Sequence, residues 1–177
     1  MIFSRYPSIN DRYSTTYNFI LEVVSEKSNI LDLGVRNELS EFLIEKGLRI
    51  SNTEGEDLDI ETDLGPRYGE FDVVTGFEIF EHLLSPFSLL SNLPAKKLIV
   101  TVPLNLWFAK AYRNREKTWD QHYHEFEDWQ FDWLLEKSGW RIVKRVKWVS
   151  PSTKFGFRSI LRRFTPRYYG VYAERAD

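Results

Sequence analysis

The chain has 177 residues, 42% hydrophobic and 28% charged, with a net charge of −2, which suits one compact domain spanning 1–177 with a substantial core. It contains no cysteine, which excludes disulfides, a thiolate nucleophile and a cysteine-based zinc site. No apolar run approaches the roughly 18 residues of a membrane span, and the first residues lack the basic-then-apolar layout of a signal peptide, so the expectation is a soluble cytoplasmic protein with no membrane span.

Residues 1–27 are predicted to form an irregular lead-in, Met1 to Asn10 with a break at Pro7, followed by a helix over Asp11 to Lys27. In that helix Tyr13, Tyr17, Ile20, Leu21 and Val24 share one face at helical period. Ile30 to Leu33 is a short apolar strand, and Leu39, Phe42 and Leu43 mark the buried face of a helix over Glu38 to Lys46. Gly47 falls where a residue just past a helix takes positive φ. Leu48 to Asn52 is a second strand, and a short third strand is predicted around Thr62-Asp-Leu64, inside an acidic stretch of Glu54, Glu56, Asp57, Asp59, Glu61 and Asp63.

Phe71 to Thr75 and Lys97 to Val102 read as further strands, separated by a helix that starts at Ser85-Pro86, serine as N-cap and proline at the first helical position. Residues 104–124 form a lid-like insertion carrying Trp107, Phe108, Tyr112, Trp119 and Tyr123. These aromatics either stack on a ligand over the cleft or pack the lid onto the sheet. With Glu127 as N-cap, Phe126 and Phe131 are placed for a hydrophobic staple on a helix ending at Gly139. Arg141 to Val149 and Tyr168 to Glu174 are the last strands. Between them the segment 151–170 carries Lys154, Arg158, Arg162, Arg163 and Arg167 and no acid, interspersed with apolar residues expected to anchor it. It is either a solvated face or a border of the acceptor entrance that holds an anionic substrate.

Strands alternating with helices imply a mostly parallel sheet covered on both faces, with its ligand at the carboxyl ends of the strands. Asp32 and Gly34 end the first strand at a turn leading straight into a helix, where backbone N–H groups can face a ligand. Glu54 ends the second strand 20 residues after Gly34, close to the spacing at which an acid accepts hydrogen bonds from ribose hydroxyls. Asp63 stands near the end of the predicted third strand; Glu54 and Asp63 are otherwise simply solvated loop acids.

Ile30-Leu-Asp-Leu-Gly34, Phe71-Asp-Val-Val-Thr-Gly-Phe-Glu-Ile-Phe-Glu-His-Leu-Leu-Ser-Pro86, Leu98-Ile-Val-Thr-Val-Pro103 and His124-Glu-Phe with its helix down to Gly139-Trp140 together resemble class I S-adenosylmethionine-dependent methyltransferases. The similarity is closest to the small bacterial and archaeal type that keeps Glu-x-x-Glu-His after strand four. It implies an α/β, Rossmann-like, mostly parallel sheet of seven strands in the order 3-2-1-4-5-7-6, helices on both faces, and the last strand, Tyr168 to Glu174, antiparallel. It also implies adenosylmethionine against Asp32 and Gly34, its ribose on Glu54, its adenine near Asp63 and Leu64, and Phe77 and Glu78 beside it. The family's turn is usually Asp-x-Gly-x-Gly-x-Gly, whereas here Arg36 and Glu38 stand at the later glycine positions.

The only histidines are His82, His122 and His124, and all lie in segments expected to flank the cleft. The preferred reading is metal-free, with His82 packing or capping after strand four and His124 hydrogen-bonding to it. In the alternative, Glu78, Glu81, His82 and His124 hold a divalent ion, a set similar to that of the small-RNA 2′-O-methyltransferases. Between these lies a reading in which His124 or His122 acts as general base, since imidazole titrates near neutral pH. The resulting expectation is methyl transfer to oxygen or nitrogen of a small-molecule, glycan or lipid-linked acceptor. RNA 2′-O-methylation and a non-catalytic scaffold with a degenerate turn are the alternatives.

Overall fold

The computed structural model describes residues 9–117, 120–150 and 156–176. The lead-in at 1–8, Trp119 of the lid, and Lys154 and Phe155 of the basic segment lie outside the described residues. Helix α1 (Ile9–Leu21) leads into strand β1 (Asn29–Asp32), helix α2 (Glu38–Glu45) and strand β2 (Arg49–Asn52). The short helix α3 (Gly65–Tyr68), strand β3 (Val73–Phe77), a 3₁₀ turn at Phe80–His82, helix α4 (Pro86–Asn92) and strand β4 (Lys97–Pro103) follow. Helix α5 (Asp128–Lys137), strand β5 (Trp140–Val149), helix α6 (Phe157–Arg162) and strand β6 (Pro166–Arg175) complete the chain. None of the described helices is long and apolar enough to cross a membrane.

Among the described residues the sheet has six strands in the order β2-β1-β3-β4-β6-β5, with β6 antiparallel to both neighbours and β1 to β4 parallel. The expected third strand is absent, which corrects the seven-strand expectation. Its acids explain the loss: Asp57 accepts the amide of Asp59, Asp63 that of Gly65, and Asp59 those of Leu84 and Ser85. Side chains that bind nearby amides favour turns over a ladder. β2 therefore forms one edge of the sheet.

Alternate strand residues feed two apolar clusters, as the period of two requires. Ile30, Val73, Ile99 and Tyr172 join Phe19 and Ile20 of α1 and Leu39 and Leu43 of α2. Leu31, Val74, Leu98 and Val171 join Leu89 and Leu90 of α4 and Phe131 and Leu135 of α5. Burial of each such side chain stabilises the fold by about 1.5–3 kcal/mol. α1 ends earlier than its periodicity predicts, just before Val23-Val24, a β-branched pair of low helix propensity.

Local signals set several boundaries, some of them read in sequence. Asn37 caps α2 by accepting from the amides of Leu39 and Ser40, and Gly47 and Gly139 take φ of +96° and +87°. The rings of Phe126 and Phe131 meet edge to face at 5.0 Å, closing the staple that starts α5. Ser85 differs from expectation: its side chain makes no cap bond to α4, and its own amide is held by Asp59.

Candidate active site

β1 ends in a carboxylate that is 2% exposed. Asp32 Oδ1 accepts from Thr75 Oγ1 at 2.7 Å, and Oδ2 accepts from Ser40 Oγ at 3.0 Å and Asn52 Nδ2 at 3.1 Å. The acid thereby ties the ends of β1, β2 and β3 to the first turn of α2. Burial raises its pKa to about 6 against the opposing pull of those three hydrogen bonds. Asp32 thus organises the turn from within.

The turn itself needs one glycine. Gly34 has φ of +91° and donates its amide to Thr53 Oγ1 at 2.7 Å, and a Cβ added there would come within 3.2 Å of Ile79 Cδ1. The residues replacing the family's later glycines diverge in direction. Arg36 turns to solvent in a two-point ion pair with Glu41, while Glu38 lines a pocket and accepts from Tyr13 at 3.4 Å.

That pocket, of about 290 Å³, lies at the carboxyl ends of β3 and β4 beside α1 and the start of α2. Arg12, Tyr13, Asn37, Phe77, Glu78 and Trp148 are among its walls. Glu78 is the single non-glycine residue with positive φ, 57°, among the described residues. Its amide donates to Thr101 O at 3.0 Å and its Oε1 accepts from Thr101 Oγ1 at 3.0 Å. Burial raises its pKa to about 7, opposed by the Arg12 charge, the Thr101 hydroxyl and Arg167. Arg12 lies over the rings of Tyr13 and Tyr168. Arg12, Thr101 and Trp148 escaped the sequence reading, because no local spacing links them to Glu78.

The histidines separate into two places. His82 Nδ1 donates to Gln121 O at 3.0 Å, and Nε2 lies 3.8 Å from Glu81 Oε1. His122 stacks edge-on against His82 with ring centroids 4.7 Å apart. Burial, with a contribution from His82, lowers the His122 pKa. Glu81 is 1% exposed and burial drives its pKa well up, with Glu78 adding to the shift. His124 instead stacks on Phe126 at 5.3 Å and borders a different depression with Leu84, Pro86 and Gln130. The alternative metal set of Glu78, Glu81, His82 and His124 is not the one brought together: among the described residues the group with ligand atoms within 4.8 Å of one another is Glu81, His82 and His122.

Glu54 is exposed and paired with Arg67, which also reaches Glu61. Asp63 lines a depression at the amino ends of β3 and β4, together with Asp72 and Lys97, away from Glu78. Leu64 is 1% exposed within the core. Neither shares the pocket of Phe77 and Glu78.

In the lid, Trp107, Tyr112 and Tyr123 are exposed. In the basic segment Arg158, Arg162 and Arg163 are exposed, and so are Phe157, Ile160 and Phe164, which therefore do not anchor it as expected. Arg167 turns inward, donating to Leu104 O and lying 3.8 Å from Glu125.

No protein-family model and no curated protein matches the chain. Among solved structures it is similar to 1,6-didemethyltoxoflavin-N1-methyltransferase of Burkholderia thailandensis, crystallised with 1,6-didemethyltoxoflavin and S-adenosylhomocysteine. That match has 16% identity over 93% of this chain and 78% of the other, with a TM-score of 0.63. The fold is that of the class I methyltransferases. An S-adenosylmethionine-dependent methyltransferase from Clostridium acetobutylicum matches at 11% identity over 93% of this chain and 92% of the other, TM-score 0.55. A 4+2 cyclase, SpnF, matches at 12% identity over 97% and 84%, TM-score 0.60, so the methyltransferase fold also carries other chemistry and the site must decide function.

Proposed function

We propose that the chain is an S-adenosylmethionine-dependent methyltransferase acting on an oxygen or nitrogen of an anionic small-molecule, glycan or lipid-linked sugar acceptor. The observation that carries this reading is the pocket beside the Gly34 turn that half-buried Glu78 and Arg12 both line, with the Arg12 charge acting on the Glu78 carboxylate. A cation and an anion set among Tyr13, Phe77 and Trp148 fit the zwitterionic amino-acid end of the cofactor and a proton-losing acceptor. When bound, adenosylmethionine supplies an electrophilic methyl group that forms a carbon–oxygen or carbon–nitrogen bond as its carbon–sulfur bond breaks. Arg12 takes the cofactor's carboxylate, and the ionised Glu78 accepts the proton that the acceptor loses. Glu78 assumes the base role that sequence assigned to the histidines, since none of them lines this pocket. Positioning supplies most of the remaining rate enhancement.

Calorimetric titration with adenosylmethionine or S-adenosylhomocysteine is the primary test. Saturable heat is expected; its absence from folded protein leaves the scaffold reading. Glu54 is assigned to the ribose hydroxyls, exchanging its exposed pairing with Arg67 for theirs. Glu54→Ala is expected to weaken cofactor binding by about 1.5–3 kcal/mol, measured by the same titration. Unchanged affinity removes Glu54 from the site.

The exposed Arg158, Arg162 and Arg163 are assigned to the acceptor's anionic group. Neutralising all three is expected to raise the acceptor KM several-fold at low salt while cofactor affinity holds, and added salt should raise the wild-type KM in the same direction. Unaltered acceptor kinetics in the triple variant make the segment ordinary surface.

A further inference from the structure

Two polar atoms with no hydrogen-bond partner belong to residues that meet where the lid returns to the domain. Glu81 Oε2 and His122 Nδ1 are both buried without one, on side chains 1% and 9% exposed, with Glu125 Oε1 lying 3.6 Å from His122 Nδ1, beyond hydrogen-bond distance. A buried polar atom left in this state costs about 1–3 kcal/mol, more for a charged group, so a pair of them in one place needs a physical partner. His82 completes the set. Its Nδ1 proton is directed to Gln121 O, which leaves Nε2 as the lone-pair nitrogen on the Glu81 side, 3.8 Å from Glu81 Oε1. A backbone carbonyl that fixes the tautomer in this way is the usual support of a metal-bound imidazole.

We propose that Glu81, His82 and His122 hold a divalent cation, with zinc the best fit, which clamps the returning end of the lid to the turn after β3. The three ligand atoms lie within 4.8 Å of one another. Bonds of about 2.0–2.2 Å to a common ion would draw them together by a modest side-chain adjustment. One carboxylate and two imidazoles suit zinc or another borderline ion better than magnesium, which prefers oxygen ligands. The clamp follows from where the ligands come from. Glu81 and His82 belong to the 3₁₀ turn, while His122 belongs to the lid, whose Tyr123 and His124 amides already donate to Glu81 O at 2.8 and 3.2 Å. With the His82–Gln121 bond these make three ties, and the cation would add a further one between side chains at the same junction. This assignment reverses the metal-free expectation, replaces Glu78 and His124 of the alternative set, and does not depend on the methyltransferase reading.

The test uses the full chain stripped with chelator and titrated with Co²⁺ as a spectroscopic stand-in. Visible ligand-field absorption saturating at a single equivalent and displaced by Zn²⁺ is expected. His82→Ala and His122→Ala should each weaken uptake by at least about 100-fold, beyond the usual cost of losing a supporting residue, while His124→Ala binds as wild type. Zn²⁺ should also slow tryptic cleavage at the lid's Lys110, Arg113 and Arg115 in the wild type and not in His122→Ala. Should His122→Ala fail to fold by circular dichroism, His122→Gln replaces it. No stoichiometric uptake by the folded wild type, uptake unchanged by both ligand variants, or uptake lost in His124→Ala overturns the assignment.

Discussion

Glu78→Gln is expected to lower kcat by about 10²–10⁴-fold, the range for losing a positioned general base, with circular dichroism unchanged. Gln keeps the acceptor for Thr101 Oγ1 and removes the proton acceptor. The wild-type kcat/KM should rise with pH through an apparent pKa of about 7, because only the ionised carboxylate accepts a proton and burial holds that pKa up. Arg12 opposes the rise, so Arg12→Leu should move this limb to higher pH, and Glu78→Gln should abolish it. Stability supplies an independent readout. The native state holds the Glu78 proton between the ordinary value of 4.5 and about 7, whereas the unfolded chain has released it. Stability is therefore fully present below the lower value and is lost as pH rises through the upper one, by about 3 kcal/mol. Denaturant titrations of Glu78→Gln should show a flatter profile across that window. A variant with wild-type kcat and an intact acid limb removes Glu78 from the chemistry.

The largest expected loss of stability comes from Asp32→Ala, at about 2–3 kcal/mol by urea denaturation. Thr75 Oγ1 loses its acceptor in the interior, and Ser40 and Asn52 keep only their mutual and secondary contacts. Asp32→Asn should cost much less, because an amide oxygen still accepts and the buried charge is gone. The wild type should lose stability as pH rises between the ordinary value of 3.8 and about 6, the window in which burial keeps Asp32 protonated only when folded. Both variants should lack that slope. If Asp32→Ala unfolds at the wild-type midpoint with the wild-type urea dependence, Asp32 does not organise the turn.

The sequence by itself determined the features set within a few residues of chain. Short apolar, β-branched runs gave the strands, Asn37 and the Phe126–Phe131 staple began two helices, and Gly34 marked the turn where φ must be positive. The turn at Asp32-Leu-Gly34 and the block around Phe77 and Glu78 were legible for the same reason, since strand, turn and side chain lie together in sequence. The strand expected around Thr62-Asp-Leu64 does not form, because local sequence does not reveal which amides an acid will capture. Asp59 reaches Leu84 and Ser85, and such long-range bonds outweigh local β preference. Only the tertiary structure brought Arg12 to Glu78 across 66 positions of chain, or set His122 rather than His124 against His82. The neighbouring histidines differ by two positions in an irregular segment, where no repeat fixes side-chain direction. Backbone bonds from Tyr123 and His124 to Glu81 O decide it: they hold the segment where His122 meets His82 and His124 lies against Phe126.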